Sequence, residues 1–125
     1  MMDRHDIALI VAGIIGSASA IVHGVLTQRY IVRPLQELAA TKLPRSIRRL
    51  VTGLLHFSTF TWFVGGVALI VAARSFDEQA TFATGLLVGS SYLFATLGNL
   101  WATRGRQPGW VLYGVALLLL IYGLS

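Results

Sequence analysis

Two histidines are the side chains in the apolar stretches of this chain that are best suited to chemistry. His23 lies about five residues before the end of the first stretch, and His56 lies about six residues after the start of the second. At a rise of 1.5 Å per residue, both lie roughly 8–9 Å below the face at which the first loop connects the two helices. Because consecutive helices of an up-down bundle run antiparallel, the two imidazoles lie at one level, where they can meet.

A pair of histidines on facing helices can ligate haem axially or supply part of a copper or zinc site. A third strong metal ligand is missing, because the chain has no cysteine and His5 lies in the N-terminal tail. Haem b needs only two ligands and is the best-matched cofactor, with Phe60 and Phe63 predicted to line an apolar slot. In this interpretation His23 and His56 are the metal ligands.

A structural role for the histidines is the alternative. They would then hydrogen-bond to each other, to Asn99 or to serine and threonine hydroxyls, since an unpaired polar group in hydrocarbon costs on the order of a few kcal/mol. A small polar ligand held by the same group is a further possibility. Tyr92 and Asn99 are predicted at a depth similar to that of the histidines, and Trp62 to pack or to shape a cavity. The candidate ligand-binding residues are His23, His56, Asn99, Tyr92, Phe60, Phe63 and Trp62.

Catalytic patterns of other kinds are missing from the sequence. The apolar stretches contain no Asp, Glu, Lys or Arg, which removes paired-carboxylate catalysis and the usual basis of ion-coupled transport. There is no G-x-S-x-G, H-E-x-x-H or phosphate-binding glycine loop. Ser17, Ser19, Ser90 and Ser91 are expected to bond to their own or a neighbouring helix. We therefore expect a binding protein rather than an enzyme.

The histidines sit in two of four apolar stretches that occupy most of the 125 residues, covering about 7–28, 50–73, 80–101 and 108–125. Hydrophobic residues make up 55% of the chain, and its mean hydropathy is +0.71. Each stretch approaches the roughly 20 residues that cross a bilayer as a helix. The sequence predicts a single all-α domain over 1–125, an integral membrane up-down-up-down four-helix bundle.

The net charge of +5 is distributed unevenly among the connections. Eight of the ten basic residues fall in the first and third loops, which predicts that these loops are cytoplasmic and that both termini lie outside a bacterial inner membrane. This distribution argues against a nucleic-acid partner. The eight are Arg29, Arg33, Lys42, Arg45, Arg48, Arg49, Arg104 and Arg106, and only Arg4 and Arg74 fall on the other side.

The first loop contains Pro34 and Pro44, and a short interfacial helix is predicted between them. The following cluster of Arg45, Arg48 and Arg49 is a candidate site for anionic lipid headgroups. The alternative is that these charges only set the topology.

Small residues recur every four positions in the first stretch, at Ala12, Gly16, Ala20 and Gly24. This spacing is typical of a helix face on which another backbone approaches closely. We expect this face to point into the bundle and to bring His23 with it.

The chain resembles a family of small, uncharacterised bacterial four-helix membrane proteins. The resemblance rests on the stretches HGVLTQRYIVRPL, RRLVTGLLHFSTFTWFVGGVALIVAA and TRGRQPGW. It implies an inner-membrane location and no particular activity, and it points to the same histidines. The motif positions in this sequence are His23, Gln28, Arg29, Pro34, Leu35, His56, Thr59 and Trp62.

The leading functional hypothesis is a small inner-membrane binding or accessory subunit that acts through helix–helix contacts, with a ligand near the histidine pair. A bis-histidine haem-binding redox protein is the first alternative, and a transporter or channel protomer is the second. The expected partners are membrane lipids and either another membrane protein or a second copy of the chain.

Overall fold

The computed structural model describes residues 3–39, 42–106 and 108–125. Of the described residues, 91% are helical and none lies in a strand, so the all-α prediction is confirmed. A π-helical turn, Gln28–Val32, joins the first two helices. The helices are α1 (Arg4–Thr27), α2 (Arg33–Ala39), α3 (Arg45–Ser75), α4 (Glu78–Thr103) and α5 (Gly109–Leu124).

The short helix predicted between Pro34 and Pro44 is present as α2, but it continues α1 instead of standing apart. Pro34 has no N–H, and in a regular α-helix its ring would clash with the carbonyl four residues earlier. The preceding turn widens, so that the Arg33 N–H bonds to the carbonyl of Gln28, five residues back. This π-helical turn accommodates the proline and lets the helix run on.

Three helical segments are long and apolar enough to cross a membrane: Arg4–Leu38, Arg45–Ser75 and Glu78–Thr103. The fourth, α5, is apolar but has only 16 residues. At 1.5 Å per residue it is about 24 Å long, which is shorter than a hydrocarbon core of about 30 Å. Three of the four predicted stretches therefore meet the length for a span.

Each long helix packs against two others: α1 and α4 both contact α3 and α5. The α1–α5 pair is antiparallel, because His5 stacks on Tyr122 at one end while the Tyr113 hydroxyl donates to the Gly16 carbonyl nearer the other. The interior contains small residues of α1 and larger side chains of the other helices. Its buried residues are Leu9, Ala12, Ala20, Trp62, Leu69, Val88, Tyr92, Ala95, Tyr113, Ala116 and Leu120.

The small-residue face of α1 points inward as predicted, with Ala12, Gly16 and Ala20 all buried. The helices α1 and α3 approach each other closely at Gly13 and Gly66, where a Cβ on either glycine would run into the backbone oxygen of the other. The glycine of α3 was not anticipated from the sequence. This crossing sets how the two histidine-bearing helices are rotated against each other.

Helix ends follow the sequence in α1 and α4. Asp3 caps α1 by accepting the Asp6 N–H at 2.9 Å, and Asp77 caps α4 by accepting the Ala80 N–H at 2.8 Å. Gly105, with φ of 79°, follows the end of α4, where glycine readily adopts a left-handed conformation.

Candidate functional site

His23 lies half-buried on α1 and is held by hydroxyl groups. Its Nε2 is 3.2 Å from the Ser58 Oγ of α3 and 3.4 Å from the Thr27 Oγ1. The imidazole also meets the Trp62 indole edge-on, with ring centroids 4.9 Å apart. His23 therefore makes the hydrogen bonds to serine and threonine hydroxyls that the structural role predicts.

His56 has a different partner. Its Nε2 lies 2.9 Å from the Oε1 of Gln28 in the π-helical turn. Because an amide oxygen only accepts, His56 is in the tautomer that carries the proton on Nε2 and donates it to Gln28. The two imidazoles thus have different partners across the helix interface, Ser58 for His23 and Gln28 for His56. Depth along the helices does not determine which side chain each histidine faces.

The two motif segments named in the resemblance pack against each other. On α3 the motif positions are three residues apart and face the end of α1 and the turn that follows it. The pairs are His56 with Gln28, Thr59 with Gly24 and Trp62 with His23. These contacts tie the α1–α2 junction to α3.

Phe60 and Phe63 lie on the outer surface of α3, where 65% and 40% of their surfaces are exposed. They do not line an enclosed slot within one chain. Both histidine Nε2 atoms are already engaged by protein groups, so this conformation holds no axial pair for haem. Among the described residues there is also no group of three or more His, Cys, Asp or Glu that could hold a metal ion.

Tyr92 and Trp62 belong to the core. Tyr92 is fully buried against Gly16, about two turns from the level of His23. Helical side chains tilt towards the start of their own helix. The Tyr92 side chain therefore points away from the histidine level, which corrects the similar depth predicted for it. Trp62 is buried and its Nε1–H donates to the Ser91 carbonyl at 3.2 Å.

A cavity of about 100 Å³ lies beside His23, between α1, α4 and α5. Four side chains with polar atoms line it: Ser19, His23, Asn99 and Tyr113. The Asn99 Nδ2 donates to the Ala95 carbonyl at 2.7 Å, and its Oδ1 has no hydrogen-bond partner among the described residues. The structure thus brings together His23 and Asn99 of the predicted set and adds Ser19 and Tyr113, whereas His56 does not line the cavity.

A larger cavity, of about 770 Å³, lies at the opposite end of the bundle. Leu9 and Phe82 are among its apolar lining residues, and Asp3, Asp6 and Glu78 add carboxylates. The Asp6 N–H bond lowers the pKa of the Asp3 carboxyl below its usual value. This cavity was not predicted from the sequence. The available signal was that antiparallel helices bring the acidic residues of the N-terminal tail and of the second loop to the same end of the bundle.

The predicted headgroup residues Arg45, Arg48 and Arg49 occupy the first two turns of α3. Arg45 and Arg49 are exposed, and Arg48 is half-buried. They lie at the same end of α3 as His56 and the junction with α2.

No protein-family model matches this chain, and comparison with curated proteins and with solved structures finds no match either. The resemblance to small bacterial four-helix membrane proteins therefore stays a prediction.

Proposed function

We propose that the chain is an integral protein of a bacterial inner membrane, an up-down-up-down bundle with both termini outside. Three helices of sufficient length and apolarity support the membrane location. The outside position of both termini requires α5 to make the fourth crossing, and its apolar sequence and its antiparallel packing along α1 support that. The concentration of eight basic residues in the first and third connections supports the orientation. The His23 cavity then lies in the cytoplasmic half of the bundle.

We further propose that the protein is a small binding or accessory subunit that holds a small neutral polar molecule in the His23 cavity. The cavity itself supports this proposal. Its surface is mostly apolar, and the Asn99 Oδ1, which has no partner among the described residues, adds a free acceptor beside His23, Ser19 and Tyr113. A water molecule occupies about 30 Å³ in the liquid, so about 100 Å³ suits a molecule of a few heavy atoms. No Asp, Glu, Lys or Arg lines the cavity. An ion would lack a countercharge there, which favours a neutral ligand.

The test uses the three histidines as separate reporters in one sample. In the detergent-purified chain labelled with ¹⁵N-histidine, acetamide is titrated as a probe that both donates and accepts hydrogen bonds. The His23 ring resonances are expected to shift saturably, while those of His5 and His56 stay in place. Ser19→Leu, which fills the cavity with an apolar side chain, is expected to abolish the shift.

Equal shifts at all three histidines, or a His23 shift that survives Ser19→Leu, would overturn the proposed ligand site. A low-spin Soret band from protein made in haem-supplied cells, lost on either His→Ala change, would replace it with the haem-binding alternative.

A further inference from the structure

The start of α3 is the most basic part of the described chain. Arg45, Arg48 and Arg49 fall within its first two turns, and Lys42 comes shortly before them. The first turn of α3 contains no acidic residue. Arg29 and Arg33 lie on the adjoining turn and at the start of α2. This end of the molecule therefore carries a positive charge that no carboxylate of α3 balances.

The backbone adds to this charge. Asp3 caps α1 and Asp77 caps α4, but the residue before α3 is Pro44, which makes no side-chain capping bond. The first helical bond of α3 runs from the Arg48 N–H to the Pro44 carbonyl, so the N–H groups that precede it are left without helical partners. Such donors, together with the positive end of the helix dipole, favour an anion.

The Arg48 side chain lies partly in a crevice between α2 and α3. Gln36 of α2 donates to the Thr52 Oγ1 at 2.9 Å, and that hydroxyl donates to the Arg48 carbonyl at 3.0 Å. These bonds hold α2 against α3 and leave a narrow crevice that Arg48 lines with Leu35 and other residues. The Arg48 Nε is buried and has no hydrogen-bond partner within the described part of the chain. A buried donor without an acceptor is costly. The crevice has a volume of only about 20 Å³, so the half-buried Arg48 side chain must turn outwards for its Nε–H to meet an external acceptor.

We propose that the start of α3, with Arg45, Arg48 and Arg49, binds the phosphate of an anionic membrane-lipid headgroup. Phosphate oxygens match both the arginine fork and the free helix N–H groups. Apolar side chains lie exposed beside the arginines: Leu43 is 41%, Ile47 42% and Leu50 59% exposed. They offer contact to acyl chains, which favours a lipid over free phosphate. The proposal rests on the membrane location proposed above.

The test measures lipid retention by the full chain in detergent, where both ends of the bundle are accessible and orientation has no influence. Native mass spectrometry compares bound phosphatidylglycerol with bound phosphatidylcholine. We expect the wild type to prefer phosphatidylglycerol, and Arg48→Gln to reduce that preference about tenfold, as expected for the loss of one charge-assisted contact. Arg106→Gln, at an exposed arginine of the α4–α5 connection, is the matched control and is expected to keep the preference.

Arg48→Lys keeps the charge but lacks the Nε–H, and an intermediate preference is expected from it. Inorganic phosphate, added as a competitor, is expected to displace little lipid. Efficient displacement by phosphate without lipid preference would assign the site to a free anion, and an unchanged preference in Arg48→Gln would remove it. Both results would overturn the lipid proposal and leave the membrane orientation to be tested separately.

Discussion

Replacing Gly16 with leucine is expected to destabilise the folded chain by about 1–3 kcal/mol or more, as forced overpacking of a core does. A Cβ at this position would overlap the hydroxyl of Tyr92, a side chain that is completely buried. Tyr113 would be disturbed as well, because its hydroxyl donates to the Gly16 carbonyl at 3.3 Å. The loss is measured as a lower midpoint of thermal unfolding in detergent.

Gly53→Leu is the matched control for this change. A Cβ on Gly53 meets no atom within 4 Å, and the residue is exposed on α3. We expect no loss of stability from it, since leucine also has the higher helix propensity. If both variants melted like the wild type, the inward orientation of the small-residue face, and with it the placement of His23, would be wrong.

His23→Ala is expected to cost about 2 kcal/mol, because it removes both an interhelical hydrogen bond and a packed ring. The lost contacts are those to Ser58 and to the edge of Trp62. His56→Ala is expected to cost about 0.6 kcal/mol, a typical interhelical bond, since its Gln28 partner is exposed. Unfolding of both variants in the same detergent gives the comparison.

A second readout separates stability from binding. Because His23→Ala removes the reporting ring, acetamide binding is followed here by saturation transfer from the protein to the acetamide methyl resonance. His23→Ala is expected to lose this transfer, and His56→Ala to keep both the transfer and a saturable shift at His23. Equal destabilisation by the two substitutions, or loss of acetamide binding in both, would favour a single site formed by His23 and His56 together.

Much of the fold follows from hydropathy and small residues. The four apolar stretches became the cores of α1, α3, α4 and α5. The repeat that includes Gly16 correctly predicted the inner face of α1, because close helix packing requires small side chains. The junction after α1 was harder to predict. Pro34 argues locally for a break, and only the wider π-helical turn before it allows the helix to continue.

The candidate site was less predictable, because it depends on helix rotation as well as on depth. Spacing placed His23 and His56 in one region of neighbouring helices. The Gly13–Gly66 crossing then determines that His23 meets Ser58, and the residues after α1 bring Gln28 to His56. The cavity also requires α5, whose Tyr113 carries no motif in the sequence.

Single-cysteine accessibility tests the membrane account most directly, since the chain contains no cysteine of its own. Gln79→Cys, in the first turn of α4, and Ser46→Cys, at the start of α3, alter exposed positions without removing a charge. A membrane-impermeant maleimide is applied to cells with a permeable outer membrane and an intact inner one. The proposed topology predicts labelling of the Gln79→Cys variant at once and of the Ser46→Cys variant only after the inner membrane is opened. The reverse order would contradict the orientation, and equal labelling of both variants recovered in the soluble fraction would contradict membrane insertion itself.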